Sequence, residues 1–136
     1  MISMDLAWLP VGIGVVIWIM MGMIWYNPKV LGTIWMEHTG LSMEVIEAKI
    51  ESGETNMGLA IGGSVVSGLV TNMVLGMLII ASSISPIMLA LMCSLGFVMT
   101  DIGMYGFEGR TWKLYLIDKG WMVIAILISG ILHTYL

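Results

Sequence analysis

Apolar side chains dominate four stretches of this chain, and polar side chains gather in the segments between them. Each stretch is long enough to cross a bilayer as a helix, which takes about 20 residues. The pattern therefore predicts an all-α integral membrane four-helix bundle, formed by one membrane domain over residues 1–136. The predicted spans are residues 6–26, 57–81, 87–107 and 115–135.

The connections between the predicted spans differ greatly in length. Residues 82–85, "SSIS", make a tight hairpin, whereas residues 27–56 form a long connection. Inside it, Ser42 is a typical N-cap and Gly53 a typical helix stop, so we predict a short helix at about 43–52 on the membrane surface. The first span lacks a basic leader and a small-residue cleavage site, and we expect it to be retained in the membrane.

The basic residues predict an orientation. All five lie in the long connection or around the last one, and an even number of spans separates these two regions. The positive-inside rule then places the long loop in the cytoplasm and both termini outside a prokaryotic cytoplasmic membrane. These residues are Lys29, Lys49, Arg110, Lys113 and Lys119.

Composition supports the membrane class. Hydrophobic residues make up 59% of the chain and charged residues only 10%, whereas a soluble domain carries about 25% charged residues. The net charge of −4 disfavours nucleic acid as a partner. A single cysteine, Cys93, excludes an intrachain disulfide. The expected partners are therefore the lipid bilayer and other membrane subunits.

Small residues recur every four positions along the second span. Such a ladder lets another helix approach closely in lipid, so we expect this span to be the bundle centre or an oligomer contact. The oligomer interpretation predicts a homo-oligomer or a subunit of a larger membrane complex; packing within one chain is the alternative. The predicted helix-packing residues are Gly58, Gly62, Ser64, Gly68, Asn72 and Gly76, with Ala60 on the same ladder.

Asp101 is the acidic residue that lies well inside an apolar span. An ionisable group at such a depth is costly, which makes it a candidate proton or cation site. Together with Asn72 near mid-membrane, it suggests a small transporter or channel. The alternative is a structural ion pair with Arg110, Lys113 or Lys119 near the interface.

The fifteen methionines suggest copper, because thioether sulfur is a ligand for Cu(I). Neither His nor Cys shares a helix face with them, and methionine is an ordinary filler of apolar contacts. No hydrolase, zinc-protease or phosphate-loop motif is present either. We therefore expect no metal, no cofactor and no catalytic residue, and an enzyme is the less favoured class.

Charged residues gather in the segment 108–118. Glu108, Arg110, Lys113 and Asp118 lie beside Trp112. The basic members suit a lipid headgroup, which would make the chain a lipid-binding protein or membrane enzyme. A re-entrant turn held by its own salt bridges is the alternative interpretation.

Two short motifs resemble those of a known family. One is an aromatic-aromatic-x-Pro exit from the first span, followed by a glycine and a tryptophan; the other is a Phe-x-Gly-Arg turn before the last span. Over nearly its whole length the chain resembles the small bacterial and archaeal membrane proteins of domain of unknown function 1761. Leu31 stands where that family often has an aromatic, and Asp118 where it has Asn or Asp. The resemblance implies four spans but no assigned activity.

The positive-inside orientation places both motifs on one face, and we predict that they form a single cluster there. The leading functional hypothesis is a structural or accessory membrane subunit; the transporter and the lipid-binding protein are the alternatives. The candidate cluster comprises Trp25, Tyr26, Pro28, Gly32, Trp35, Asp101, Phe107, Glu108, Gly109, Arg110 and Asp118.

Overall fold

The structure, a computed structural model, describes residues 5–136, which form seven α-helices and one π-helix and no β-strand. Four helical stretches are long and apolar enough to cross a membrane: Trp8–Trp25, Met57–Ala81, Pro86–Phe107 and Trp112–Tyr135. The protein is therefore an all-α membrane bundle, as predicted. The α-helices are α1 (Trp8–Trp25), α2 (Thr33–Thr39), α3 (Met43–Glu51), α4 (Met57–Ala81), α5 (Pro86–Met99), α6 (Ile102–Phe107) and α7 (Trp112–Tyr135), and Pro28–Gly32 is the π-helix.

Short polar side chains begin four of these helices. Ser42, Asn56, Ser85 and Thr111 each accept a hydrogen bond from the backbone N–H three residues later, at 3.0 to 3.3 Å. Such N-caps satisfy donors that have no partner within the helix. Local side-chain hydrogen bonds thus fix where α3, α4, α5 and α7 begin.

The centre of the bundle is α7. It packs against α1 on one side and α5 on the other, and 44% of its apolar window is buried, against 22% for α4. The core joins Trp18 of α1 to Trp121 of α7 in an edge-on contact with ring centres 4.9 Å apart. The sequence predicted that the second span, α4, is either the bundle centre or an oligomer contact; the first alternative is wrong, because α7 holds the central position.

The second half of α4 uses its small residues within the chain. Gly68 lies against the Trp18 indole, and a Cβ there would come within 2.8 Å of it. Asn72 donates from Nδ2 to its own-helix carbonyl at Gly68 (2.8 Å) and accepts from Ser129 Oγ (2.5 Å). A Cβ at Gly14 would overlap the Asn72 amide. Asn72 thus hydrogen-bonds α4 to α7, and α1 packs against its amide at Gly14.

The first half of α4 packs differently, because every residue from 57 to 67 is exposed in the single chain. A Cβ added at Gly62 or Gly63 would meet no atom within 4 Å. Ser64 donates only to the carbonyl of Ala60 in the same helix, at 2.9 Å. The ladder read as continuous in the sequence therefore divides into a packed half and an unpacked half.

The third span is interrupted, whereas its hydropathy predicts one continuous helix over 87–107. α5 ends at Met99 and α6 begins at Ile102. Thr100 Oγ1 donates to the Phe97 carbonyl at 2.7 Å, and such a bond competes with the backbone ladder. Asp101 therefore lies between α5 and α6, outside regular helix. Its side chain forms an ion pair with Lys119 of α7.

Candidate functional site

The carboxylate of Asp118 on α7 accepts three side-chain hydrogen bonds. Tyr26 Oη and Trp35 Nε1 donate to Oδ1, at 3.0 and 3.1 Å. Tyr105 Oη donates to Oδ2 at 2.6 Å. We call Asp118 and these three donors the Asp118 hub. It ties α7 to the end of α1, to α2 and to α6, at the end of the bundle that carries the long connection, here named the loop end.

Trp25 fixes the end of α1 against α7. Its indole Nε1 donates to the carbonyl of Ile117 at 2.7 Å. Its ring lies against Gly120, where a Cβ would come within 3.0 Å of the indole. This close approach places the next residue, Tyr26, beside Asp118.

The π-helix positions Trp35 so that its indole N–H reaches the Asp118 carboxylate. Asn27 Oδ1 accepts from the backbone N–H of Lys29 at 2.9 Å, and Pro28 occupies the first helical position. The wide turn closes when Gly32 N–H donates to the Asn27 carbonyl at 3.0 Å. A Cβ on Gly32 would overlap the backbone carbonyl of Tyr26. Pro28 and Gly32 therefore act by shaping the turn.

Burial raises the pKa of the Tyr26 hydroxyl well above its ordinary value, and the charge of Asp118 and the hydrogen bond to it raise it further. Because ionised tyrosine would place a second negative charge beside the carboxylate, the hydroxyl stays protonated near neutral pH and keeps donating.

The turn between α6 and α7 carries the second motif. Gly109 has φ of 68°, a left-handed conformation that glycine adopts without strain. Arg110 Nε lies 2.6 Å from Glu108 Oε2, and its guanidinium stacks over the Tyr105 ring at 5.4 Å. Through Tyr105 the turn touches the Asp118 hub, so the two sequence motifs do meet.

Phe107 does not belong with these residues. Its side chain is 93% exposed and points away from the bundle, because α6 packs on α7 through Tyr105, two positions earlier. The cluster proposed from the motifs therefore loses this member, whose apolar ring lies on the outer surface of α6.

Asp101 belongs to a separate ion pair. Its Oδ2 lies 2.5 Å from Lys119 Nζ, and the Lys119 ammonium also lies 4.8 Å from the centre of the Phe97 ring. Lys119 is ten residues from Ser129, the partner of Asn72, or about 15 Å along α7. The structure thus places Asp101 and Asn72 in two distinct contacts rather than in one polar site.

An open cleft of about 990 Å³ lies beside the Asp118 hub, between α2, α3 and the 108–111 turn. Tyr26, Trp35 and Asp118 form its floor, and its lining is mainly apolar. The apolar contribution comes chiefly from Met36, Leu41, Met43, Ile46 and Leu114. Lys49, His38, Glu108 and Arg110 supply the charged or titratable groups of its rim.

Three residues of this site that carry titratable side chains were missing from the predicted cluster: Tyr105, His38 and Lys49. Tyr105 lies inside an apolar span. The one signal in the sequence is its hydroxyl group, which needs a hydrogen-bond partner in such a span. His38 contacts Thr111 across the cleft, with 3.2 Å between Nδ1 and Oγ1. Lys49 reaches the rim from α3. Periodicity alone does not say which face of a short connecting helix turns toward the bundle.

No group of three His, Cys, Asp or Glu side chains suited to a metal occurs within the described range, 5–136. The charged residues of the cleft instead form a mixed rim above an apolar wall. Such a lining suits an amphiphile with a small polar group, since its basic side chains can bind an anion while the wall contacts hydrocarbon.

The chain belongs to the family described as protein of unknown function (DUF1761), which it matches over residues 9–134. Both motifs and the Asp118 hub lie inside that match. Searches of curated proteins and of solved structures found no significant match. The family assignment brings no activity with it.

Proposed function

We propose that this protein binds a membrane phospholipid, with the lipid phosphate held in the cleft at the loop end. The cleft itself is the observation that carries the proposal: an open, mainly apolar cavity of about 990 Å³ with Arg110 and Lys49 on its rim.

Arg110 is the principal phosphate ligand. Its Nε faces Glu108 at 2.6 Å, so the two terminal nitrogens of the guanidinium serve the ligand. A guanidinium matches a phosphate bidentately, with hydrogen bonds strengthened by charge. Lys49 adds a second cation, since its pairing with Glu54 is loose at 3.9 Å.

The position of the cleft fits a lipid. Aromatic residues and the ends of the spans mark the depth of the lipid headgroups, and Tyr26 and Trp35 line the cleft there. With the loop end in the cytoplasm, as the five basic residues favour, the ligand comes from the inner leaflet. The chain then has both termini on the opposite side of a prokaryotic cytoplasmic membrane.

Native mass spectrometry of the protein released from detergent tests this proposal. A phospholipid should stay bound, and diacylglycerol, which lacks the phosphate, should not. Arg110→Ala should weaken retention by about tenfold or more, the effect of losing charge-assisted hydrogen bonds. Lys113→Ala is the matched control, because Lys113 stacks on Trp112 outside the cleft. Equal retention by both variants would refute the proposal.

A second candidate is a homo-oligomer or an accessory subunit of a membrane complex. The exposed first half of α4 favours it, because a Cβ added at Gly62 or Gly63 would meet no atom of residues 5–136 within 4 Å. Small residues on a helix in lipid promote association by letting backbones approach. Gly62→Leu should lower the oligomer mass measured by light scattering, whereas Gly12→Leu, in equally open space on α1, should not. An unchanged mass in both variants would refute this candidate.

A further inference from the structure

A smaller pocket of about 390 Å³ lies deeper than the cleft, between α1, α4 and α7. Its lining is almost entirely apolar and includes Trp18, Gly22, Tyr26, Ala60, Ser64 and Trp121. It forms where the unpacked first half of α4 stands beside α1. The pocket therefore opens beside the apolar spans, next to the cleft at the loop end.

Trp121 gives this pocket a polar feature. The side chain is only 8% exposed, and its indole Nε1 has no hydrogen-bond partner in the described part of the chain. The Tyr26 hydroxyl lies near the indole and donates to Asp118, and its oxygen does not meet hydrogen-bond geometry with the Trp121 N–H. An apolar ligand with one acceptor oxygen would satisfy it.

The pocket and the cleft are neighbours. Tyr26 lines both of them. Along α7, Trp121 lies three residues from Asp118 in the cleft floor, or about 4.5 Å at 1.5 Å per residue. If the phosphate of a ligand lies in the cleft, the ligand atoms a few bonds away from it lie at the level of the Trp121 N–H.

We infer that the pocket holds an ester-linked acyl chain of the bound phospholipid, whose ester carbonyl accepts a hydrogen bond from Trp121 Nε1. This inference rests on the proposed function and names the lipid class. An ester carbonyl lies close to the phosphate in a diacyl phospholipid, and the chain beyond it is hydrocarbon. A dialkyl ether lipid with the same headgroup lacks that carbonyl and leaves the indole donor unpaired.

The test compares retention of diester and diether phosphatidylglycerol by native mass spectrometry. The wild-type protein should prefer the diester about fivefold, the effect of one ordinary hydrogen bond. Trp121→Phe removes the donor and should bring the ratio to one. Trp112→Phe is the matched control, because Trp112 is exposed and lines neither cavity; it should keep the preference.

Trp121→Phe also changes the packing between Trp18 and Trp121, so a second variant blocks the pocket without changing either tryptophan. Ser64→Leu fills the pocket from α4 and should abolish the ester preference, whereas Ser67→Leu, exposed on the same helix, should retain it. Equal retention of the two lipids by the wild type would overturn the acyl-chain inference alone. A preference that survives both Trp121→Phe and Ser64→Leu would do the same. Failure to retain either lipid would refute the proposed function itself.

Discussion

Trp35 donates its indole N–H to Asp118 across 83 residues of sequence, at 3.1 Å. This bond carries the long connection onto the central helix and makes one wall of the cleft. With Tyr26 and Tyr105 also bound to the carboxylate, a single side chain holds three separate segments in place.

Replacing Asp118 should therefore cost stability in a graded way. Asp118→Ala leaves three donors without their acceptor, and we expect the free energy of unfolding to fall by about 3 kcal/mol. Asp118→Asn keeps one acceptor oxygen and should lose clearly less. Thermal unfolding in detergent measures both variants. Equal losses for alanine and asparagine would contradict the role assigned to the carboxylate.

Gly32→Ala should disrupt the π-helix, because the new Cβ would overlap the Tyr26 carbonyl. We expect a loss of more than about 1 kcal/mol, as for other backbone-incompatible substitutions, and faster amide exchange in α2. Gly62→Ala adds the same methyl group in open space and is the control. Unchanged exchange in α2 of Gly32→Ala would argue against the close approach described above.

The pair Gly14 and Gly12 on α1 tests the packing of α1 against Asn72. Gly14→Ala pushes the new methyl group into the Asn72 amide and should lower the melting temperature. Gly12→Ala meets no atom of the described residues within 4 Å and should be neutral or stabilising by up to about 1 kcal/mol, since alanine favours helix. If the two variants melt alike, Asn72 does not hold α1 in this way.

Tyr26 should resist ionisation. Its pKa is raised in the folded protein, so the folded state keeps the proton where the unfolded state has lost it. The resulting stabilisation is fully present below about pH 10, the usual tyrosine pKa, and is lost as pH rises further toward the folded value. Tyr26→Phe should therefore leave the tyrosinate absorbance at about pH 11 unchanged in the folded protein. A loss of one tyrosine equivalent would contradict the assignment.

The fold class and the family were predictable because a bilayer forces long apolar runs into helices, and because the Trp25–Tyr26–Pro28 exit is distinctive. Hydropathy did not predict the interruption at Thr100, because the span is apolar on both sides of it. The motifs predicted that Trp35 and Arg110 lie at the same end of the bundle. They did not predict which face of each helix turns toward the bundle. Tyr105 was missed and Phe107 included for that reason. The central position of α7 depends on how α1 and α5 pack around it, which no single span reveals.

A high-resolution structure of the protein in bilayer nanodiscs that contain phosphatidylglycerol tests the lipid-binding account most directly. The account predicts a phosphate within hydrogen-bond distance of the Arg110 guanidinium, inside the cleft beside Asp118. It also predicts that the same density is absent from Arg110→Ala and present in Lys113→Ala. A cleft filled by solvent in the wild type, or by a side chain of the same protein, would contradict it.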